Sequence, residues 1–216
     1  MKRCLTAMVF GGVLVSTVAL AQNVPIEIDI SAMQPGGEPA DFTFWRTGKG
    51  EGGKWTVVAD PTAAKGRAIA QMSRDRTDYR FPLAVYQPFS GQNLEISARF
   101  KPVAGTVDEA GGVALRVVTP DDYYVARANA LEDNVRFYRV VKGKREQLAD
   151  ANIKVAANQW HTLALKAEGA HFTVSFDGRT LISAQDSTFP DAGKVALWTK
   201  ADSVVYFDTI SITTLK

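Results

Sequence analysis

Residues 193–210, GKVALWTKADSVVYFDTI, decide the fold of this 216-residue chain. The segment contains two stretches that begin at Lys194 and Val204 and are separated by the polar turn KADS. Both stretches are short and rich in β-branched and aromatic residues, which is typical of β-strands. We therefore interpret the segment as two strands joined by a turn, forming a hairpin that closes an all-β domain.

The same pattern of short strands and turns fills the chain from Pro25 onward. No segment of ten or more residues has the apolar periodicity of a helix. Asp177-Gly178 and Lys142-Gly143 follow apolar runs, and such pairs suit a type I′ hairpin turn, in which both residues need positive φ. These features predict an antiparallel β-sandwich of roughly a dozen strands. The predicted strands are residues 26–30, 55–58, 68–72, 79–86, 94–102, 112–118, 123–130, 135–141, 160–166, 172–176, 180–184, 194–199 and 204–213.

The N-terminus has the pattern of an export signal. Lys2 and Arg3 precede an apolar run over residues 7–18, and Ala19-Leu20-Ala21 is the small-x-small pattern that signal peptidase cleaves. We expect a signal peptide at 1–21, a single domain at 22–216 and a periplasmic or secreted protein. The one cysteine, Cys4, would leave with the signal, so the mature chain would form no disulfide.

The charge balance argues against two classes of partner. The chain has 25 basic and 23 acidic residues, and loss of Lys2 and Arg3 with the signal would leave the two signs equal. A neutral chain has no general attraction for nucleic acid or for an anionic membrane surface. After the signal, no apolar run is long enough to cross a bilayer. We expect a monomer that binds neither nucleic acid nor membrane.

Three familiar site patterns are incomplete. Gly48 to Gly53 satisfies G-x-G-x-x-G, but a predicted strand beginning at Trp55 follows it, where a dinucleotide site needs a helix. Residues 27–32 approach the E-x-D-x-x-E pattern of family 16 glycoside hydrolases but end in alanine, on the wrong strand. His161 and His171 lack the spacing of a zinc site.

One face of the predicted sheet collects basic, amide and aromatic side chains. Residues two apart on a strand point to the same side, and strand neighbours can bring these side chains together. Aromatic rings pack on the C–H faces of sugars, and forked donors bind hydroxyl or acid groups. The alternative is a solvated polar face without a ligand. The candidate ligand-binding residues are Arg116, Arg127, Asn129, Arg136, Tyr138, Trp198 and Lys200.

Acidic residues supply two further candidate sites. Glu132 and Asp133 are candidate catalytic residues, because a carboxyl at the rim of a cleft can act as general acid or base. The alternative is that they only form a turn. Asp208, together with Asp29 or Asp41, could hold a structural calcium ion through oxygen ligands. No other cofactor is indicated.

Four segments carry a resemblance to a known family: residues 110–116 (AGGVALR), 122–135 (DYYVARANALEDNV), 160–163 (WHTL) and 198–203 (WTKADS). Together they make the chain similar to exported bacterial proteins that resemble the 3-keto-disaccharide hydrolase domain, often labelled family 16 glycoside hydrolase-like. The resemblance covers about 41–213 and implies the concanavalin A-like lectin/glucanase jelly roll. The chain has GGVALR where the hydrolase domain typically has a strand centred on Asn-Ser-Gly, so no catalytic residue is transferred.

Carbohydrate is thus the expected partner, bound on the concave face of the sandwich. The bound glycoside would be hydrolysed if the chain is a hydrolase or lyase of the 3-keto-disaccharide type. The alternatives are a non-catalytic carbohydrate-binding module, or a structural or interaction domain of the cell envelope.

Overall fold

A computed structural model of the chain describes residues 24–216, which form fifteen β-strands and no helix. The predicted signal peptide lies outside the described residues, and 24–216 contain no helix that could span a bilayer. The strands are β1 (Ile26–Glu27), β2 (Phe42–Gly48), β3 (Trp55–Ala59), β4 (Arg67–Gln71), β5 (Arg80–Gly91), β6 (Leu94–Ala104), β7 (Ala110–Thr119), β8 (Asp122–Asn129), β9 (Asn134–Val141), β10 (Lys144–Asn152), β11 (His161–Glu168), β12 (His171–Phe176), β13 (Arg179–Gln185), β14 (Gly193–Thr199) and β15 (Val204–Thr214).

Two antiparallel sheets pack face to face, which confirms the predicted β-sandwich. Sheet A has the strand order β13-β12-β11-β6-β15-β4-β3, and β1 also pairs with β15. Sheet B has the order β10-β9-β8-β7-β14-β5-β2. Between the sheets lies a core of buried apolar side chains, in which Phe100, Phe172 and Phe207 of sheet A accompany Leu115 and Phe137 of sheet B.

The hairpin predicted for residues 193–210 is wrong, although both of its strands exist. β14 belongs to sheet B and β15 to sheet A, so the turn between them carries the chain across the sandwich. Ala201 has a φ of 47°, and its N–H donates to the carbonyl of Arg80 at 2.9 Å. This sharp turn redirects the chain at the point where a hairpin would have folded back.

Local turn chemistry was predicted correctly. The φ angles are 47° at Asp177 and 77° at Gly178, and 49° at Lys142 and 74° at Gly143. Both residues of each pair thus have the positive φ that a type I′ turn requires. These pairs join β12 to β13 and β9 to β10. Two edge strands, β2 and β10, were missed, because their residues are largely polar or mixed in character.

Sheet B is strongly curled, and its outer face is concave. β2 and β8 are four positions apart in the sheet, a separation of about 19 Å if the sheet were flat. Nevertheless Thr47 Oγ1 lies 2.7 Å from the hydroxyl oxygen of Tyr123. On the same diagonal, the Tyr79 hydroxyl donates to the carbonyl of Gly143 at 3.0 Å. The concave face is therefore partly closed over itself.

The curl creates a second buried cluster, which we call the concave core. It lies on the opposite side of sheet B from the core between the sheets. Burying its large apolar side chains contributes about 1.5–3 kcal/mol each. Its members are Phe81, Leu83, Val85, Ala110, Ala114, Val117, Tyr123, Val125, Tyr138, Val140, Ala196 and Trp198, with Trp45 packed against them.

Gly112 is expected to be intolerant of a side chain, because it lies between Trp198 and Arg127 in the middle of this face. A Cβ placed there would lie 2.7 Å from the carbonyl oxygen of Ala126, 3.1 Å from Arg127 Cβ and 3.2 Å from Trp198 Cε3. Overpacking of this kind costs about 1–3 kcal/mol. Urea unfolding of Gly112→Ala should show a loss of that size. Gly52→Ala is the control, since its Cβ would meet no atom within 4 Å. Equal stability of the two variants would contradict the packing described here.

Candidate functional site

The strand register places the predicted ligand residues on one face of sheet B, with one exception. Trp198 lies opposite Gly112, Gly112 opposite Arg127, and Arg127 opposite Arg136. These residues therefore share the concave face, and positions two residues away on the same strands share it too. The register places Arg127, Asn129, Arg136, Tyr138 and Trp198 on this face. Lys200 follows the end of β14 and contacts Asp108, to which Asn129 also donates.

Arg116 is the exception, and its assignment to the ligand face is wrong. Its φ is 48°, and the pairing of β7 with β8 is irregular between Leu115 and Thr119. The bulge turns the side chain away from the concave face. Its guanidinium donates to three loop carbonyls and lies 5.3 Å from the ring centre of Phe172, in sheet A. The three acceptors are Gln92 at 3.0 Å, Phe189 at 2.9 Å and Gly169 at 2.6 Å.

Trp198 and Tyr138 are not open platforms for a sugar, which corrects the predicted stacking role. Trp198 is 0 % exposed, stacks on Phe81 with ring centres 5.3 Å apart, and donates its indole N–H to Tyr123 at 3.2 Å. Tyr138 is 4 % exposed, and the Arg145 guanidinium lies 4.4 Å from its ring centre. Both rings build the concave core, because the curled sheet brings other side chains over them.

Three arginines surround Tyr138, and we call them the arginine cluster: Arg127, Arg136 and Arg145. Arg127 Nη2 donates to the Tyr138 hydroxyl at 3.4 Å, and a hydrogen bond with Tyr138 is the main cause of a raised pKa at Arg136. Within the described part of the chain, Arg127 Nε, Arg136 Nε and Arg145 Nη1 are buried without a hydrogen-bond partner. Buried donors are nearly always paired, so three unpaired ones in a single cluster indicate a site for an acceptor.

Glu132 is the carboxylate of this site. It accepts hydrogen bonds from Arg127 Nη2 at 2.8 Å and Asn134 Nδ2 at 3.1 Å, and Arg136 Nη1 lies 3.8 Å away. Burial raises the pKa of Glu132, but these neighbours outweigh burial and hold it below its usual range. The Glu132 side chain is 39 % exposed and that of Arg136 is 34 % exposed, so the site is open on this side.

Glu132 and Asp133 were predicted to act as general acid or base, and the acid role is not supported. A general acid at neutral pH needs a raised pKa. The pKa of Asp133 is lowered, chiefly by its hydrogen bond with Lys154 at 2.9 Å. Asp133 also accepts the N–H of Val155 at 3.1 Å, and its own φ is 50°. Asp133 therefore has the structural turn role that was the alternative.

A second polar group beside the cluster was only partly foreseen. Lys200 contacts the carboxylate of Asp108 and lies 3.0 Å from that of Asp78, and Asn129 donates to Asp108. Burial raises the pKa of Asp108, and Lys200 only partly offsets this. The Asp108 side chain is only 2 % exposed and that of Lys200 is 15 % exposed, so both charges are largely buried. Sequence indicated Asp108 only as a weaker acidic candidate near this face and gave no sign of its contact with Lys200.

The predicted calcium site is not supported either. Asp208 accepts the N–H of Ala64 at 2.7 Å and lies 3.3 Å from Arg99 Nε, so a cation already neutralises it. Asp29 lies 3.5 Å from Lys65. Over 24–216, no three Asp, Glu, His or Cys side chains gather in a group that could hold a metal ion.

Comparisons with known proteins place the chain among sugar-related domains. The model of the galactocerebrosidase C-terminal lectin domain matches residues 90–215. Levanase from Bacillus subtilis is 31% identical over 68 residues, covering 32% of this chain and 10% of levanase. The chain thus matches about a tenth of the length of that curated relative.

Two solved structures show the same fold at low identity. The carbohydrate-binding module CBM66 from Bacillus subtilis has a TM-score of 0.60 and 19% identity, covering 90% of this chain and 98% of the module. Domain 4 of a GH43 extracellular arabinanase from Geobacillus stearothermophilus, solved with arabinotriose, has a TM-score of 0.54 and 14% identity, covering 80% of this chain and 82% of the domain. The predicted resemblance to the 3-keto-disaccharide hydrolase domain stays a prediction.

Asp202 should make the loop under the site sensitive to acid. It accepts hydrogen bonds from the N–H groups of Thr106 (2.9 Å), Val107 (3.0 Å) and Asp108 (3.0 Å). Burial raises the pKa of Asp202, but a hydrogen bond from the Thr106 hydroxyl at 2.7 Å and these backbone bonds outweigh burial and lower it. A lowered folded pKa means that the stabilisation is complete above the unfolded pKa and is lost as pH falls through the folded value.

The variant Asp202→Asn should therefore lose about 1–3 kcal/mol of unfolding free energy at pH 6. Its deficit against the wild type should shrink as the pH is lowered below 4, measured by urea unfolding at each pH. Asp191→Asn, at an exposed position, is the control and should show no such change. A deficit that stays constant with pH would exclude ionised Asp202 as the cause.

Proposed function

We propose that this chain is a carbohydrate-binding module without catalytic activity, because it belongs to the family of the galactocerebrosidase C-terminal lectin domain. Three similar proteins support this: a levanase, a carbohydrate-binding module and an arabinanase domain solved with arabinotriose. We also propose that it acts in the periplasm or outside the cell, where its predicted signal peptide would direct it.

The unpaired donors of the arginine cluster are the main support for this proposal. A sugar hydroxyl both donates and accepts, so it can bridge an arginine N–H and the carboxylate of Glu132. Charged partners make such hydrogen bonds stronger, at about 1.5–3 kcal/mol each. Arg127 on β8 lies directly opposite Arg136 on β9. Two neighbouring hydroxyls of one sugar ring would therefore reach both guanidinium groups.

The protonation of the site argues for binding over hydrolysis. Glycoside hydrolysis needs one carboxyl that donates a proton and a second that acts as nucleophile or base. Glu132 is held in its ionised form by its arginine partners. Asp108, which has a raised pKa and contacts Lys200, has a side chain that is only 2 % exposed to solvent.

A second candidate function rests on these same two carboxyls. Asp108 has a raised pKa and Glu132 a lowered one, and opposite shifts in neighbouring carboxyls are typical of an acid and its partner. If Lys200 swung aside, Asp108 would be the general acid of a glycosidase. The oxidised disaccharides that the 3-keto-disaccharide hydrolase resemblance implies would then be its substrates.

The binding proposal predicts that Arg136→Ala and Glu132→Gln weaken glycan affinity by at least about tenfold, the equivalent of one lost charge-assisted hydrogen bond. Isothermal titration with levan and arabinan measures this. Arg179→Ala, on the exposed edge strand β13, is the matched control and should bind as the wild type does. Wild-type affinity in both site variants, with their fold intact by circular dichroism, would move the binding site elsewhere.

Release of reducing sugar separates the two candidate functions. The wild type should release none from levan, arabinan or 3-keto disaccharides. Turnover that disappears in Asp108→Asn, while the variant still binds glycan, would establish the hydrolase and contradict the non-catalytic module.

A further inference from the structure

A recess opens near the arginine cluster, on the diagonal where sheet B closes over itself. It has a volume of about 630 Å³. Its walls come from the end of β2, the residue before β5 and the turns between β7 and β8 and between β9 and β10. The side chains that line it include Arg46, Lys49, Tyr79, Asp121, Lys142 and Lys144.

The recess is strongly cationic although the chain as a whole is nearly neutral. Four basic side chains line it against the single acid Asp121. Lys49, Lys142 and Lys144 are all exposed. In the part of the chain that the structure describes, none of their three amines forms an ion pair, whereas most other lysines have a carboxylate partner. Unpaired like charges in a concavity raise the local concentration of anions.

Tyr79 lines the recess and also contacts Arg145 of the arginine cluster. The Tyr79 hydroxyl donates to the carbonyl of Gly143 at 3.0 Å and accepts a hydrogen bond from the backbone N–H of Arg145 at 2.8 Å. Its ring packs on Phe81, with centres 4.7 Å apart, and the Arg145 guanidinium lies 4.8 Å from the same Phe81 ring. Lys144 and Arg145 are consecutive residues, so one strand supplies a cation to each site.

We propose that the ligand of this domain is an anionic polysaccharide, whose acid group lies in the cationic recess while a neighbouring sugar ring occupies the arginine cluster. This rests on the proposed function, and it specifies the substrate class. The exposed ring of Tyr79 between the two sites offers an apolar surface to the sugar that links them. A carboxylate and a sulfate have the shared chemistry that three ammonium groups would recognise.

The experiment compares two acidic polysaccharides with neutral ones. Polygalacturonate supplies carboxylates, dextran sulfate supplies sulfates, and levan and arabinan are the neutral probes. The wild type should bind at least one acidic polysaccharide about tenfold more tightly than the neutral ones at low ionic strength, and the difference should shrink as salt is added.

Removing the recess charges should abolish that difference. The triple variant K49A/K142A/K144A should lose about tenfold in affinity for the acidic probe and keep its affinity for levan and arabinan. The control K54A/R179A/K216A removes the same number of exposed charges away from the recess and should bind every probe as the wild type does.

The outcomes distinguish a failure of the acidic-ligand proposal from a failure of the proposed binding function. Equal wild-type affinity for acidic and neutral polysaccharides, or an equal loss in both triple variants, would overturn the acidic-ligand proposal and leave the binding module standing. Single-stranded DNA bound as tightly as the acidic polysaccharides would also overturn it, since the recess would then select charge and not sugar. Absence of binding to every glycan would overturn both.

Discussion

Sheet B buries apolar side chains on both of its faces, and the rest of the molecule depends on this. One face forms the core of the sandwich, and the curl of the sheet buries much of the other as the concave core. A flat sheet would leave Phe81 and Trp198 in water, at a cost of about 1.5–3 kcal/mol each. Gly112 permits the close contact of Trp198 with the neighbouring strand that this arrangement needs. The packing of these side chains therefore requires the curl, whether or not a ligand binds there.

The same constraint determines where a ligand can bind. Apolar residues fill much of the concave face, and its polar groups collect in two places, around Tyr138 and at the end of β14. There the guanidinium groups of Arg127 and Arg145 pack against aromatic rings and leave N–H donors unpaired. Buried unpaired donors cost about 1–3 kcal/mol each, and an incoming acceptor would recover that energy. Glu132, partly exposed beside them, would supply the acceptor for sugar hydroxyls.

Sequence predicted what depends on local pattern. Alternation and turn pairs indicated the β-sandwich, the type I′ turns and the side of the sheet on which Arg127 and Arg136 lie. Sequence reasoning failed at Arg116, where one residue departs from the alternation of its strand. Its positive φ, which is uncommon for a residue other than glycine, turns the side chain to the opposite face of the sheet. Sequence reasoning also failed where long-range curvature matters, because the burial of Trp198 and the position of Arg145 depend on strands far apart in sequence. Arg145 follows the correctly predicted turn at Lys142, so extending that hairpin by one strand would have found it.

We propose that ligand binds to the unpaired donors of the arginine cluster. The most direct measurement is nuclear magnetic resonance of the arginine Nε–H and tryptophan indole N–H groups during titration with arabinotriose or levan oligosaccharides. The Nε–H signals of Arg127 and Arg136 should shift. The indole N–H of Trp160, which donates to Thr62 beside sheet A, should stay in place. A shift at Trp160 with both arginine signals unmoved would contradict it.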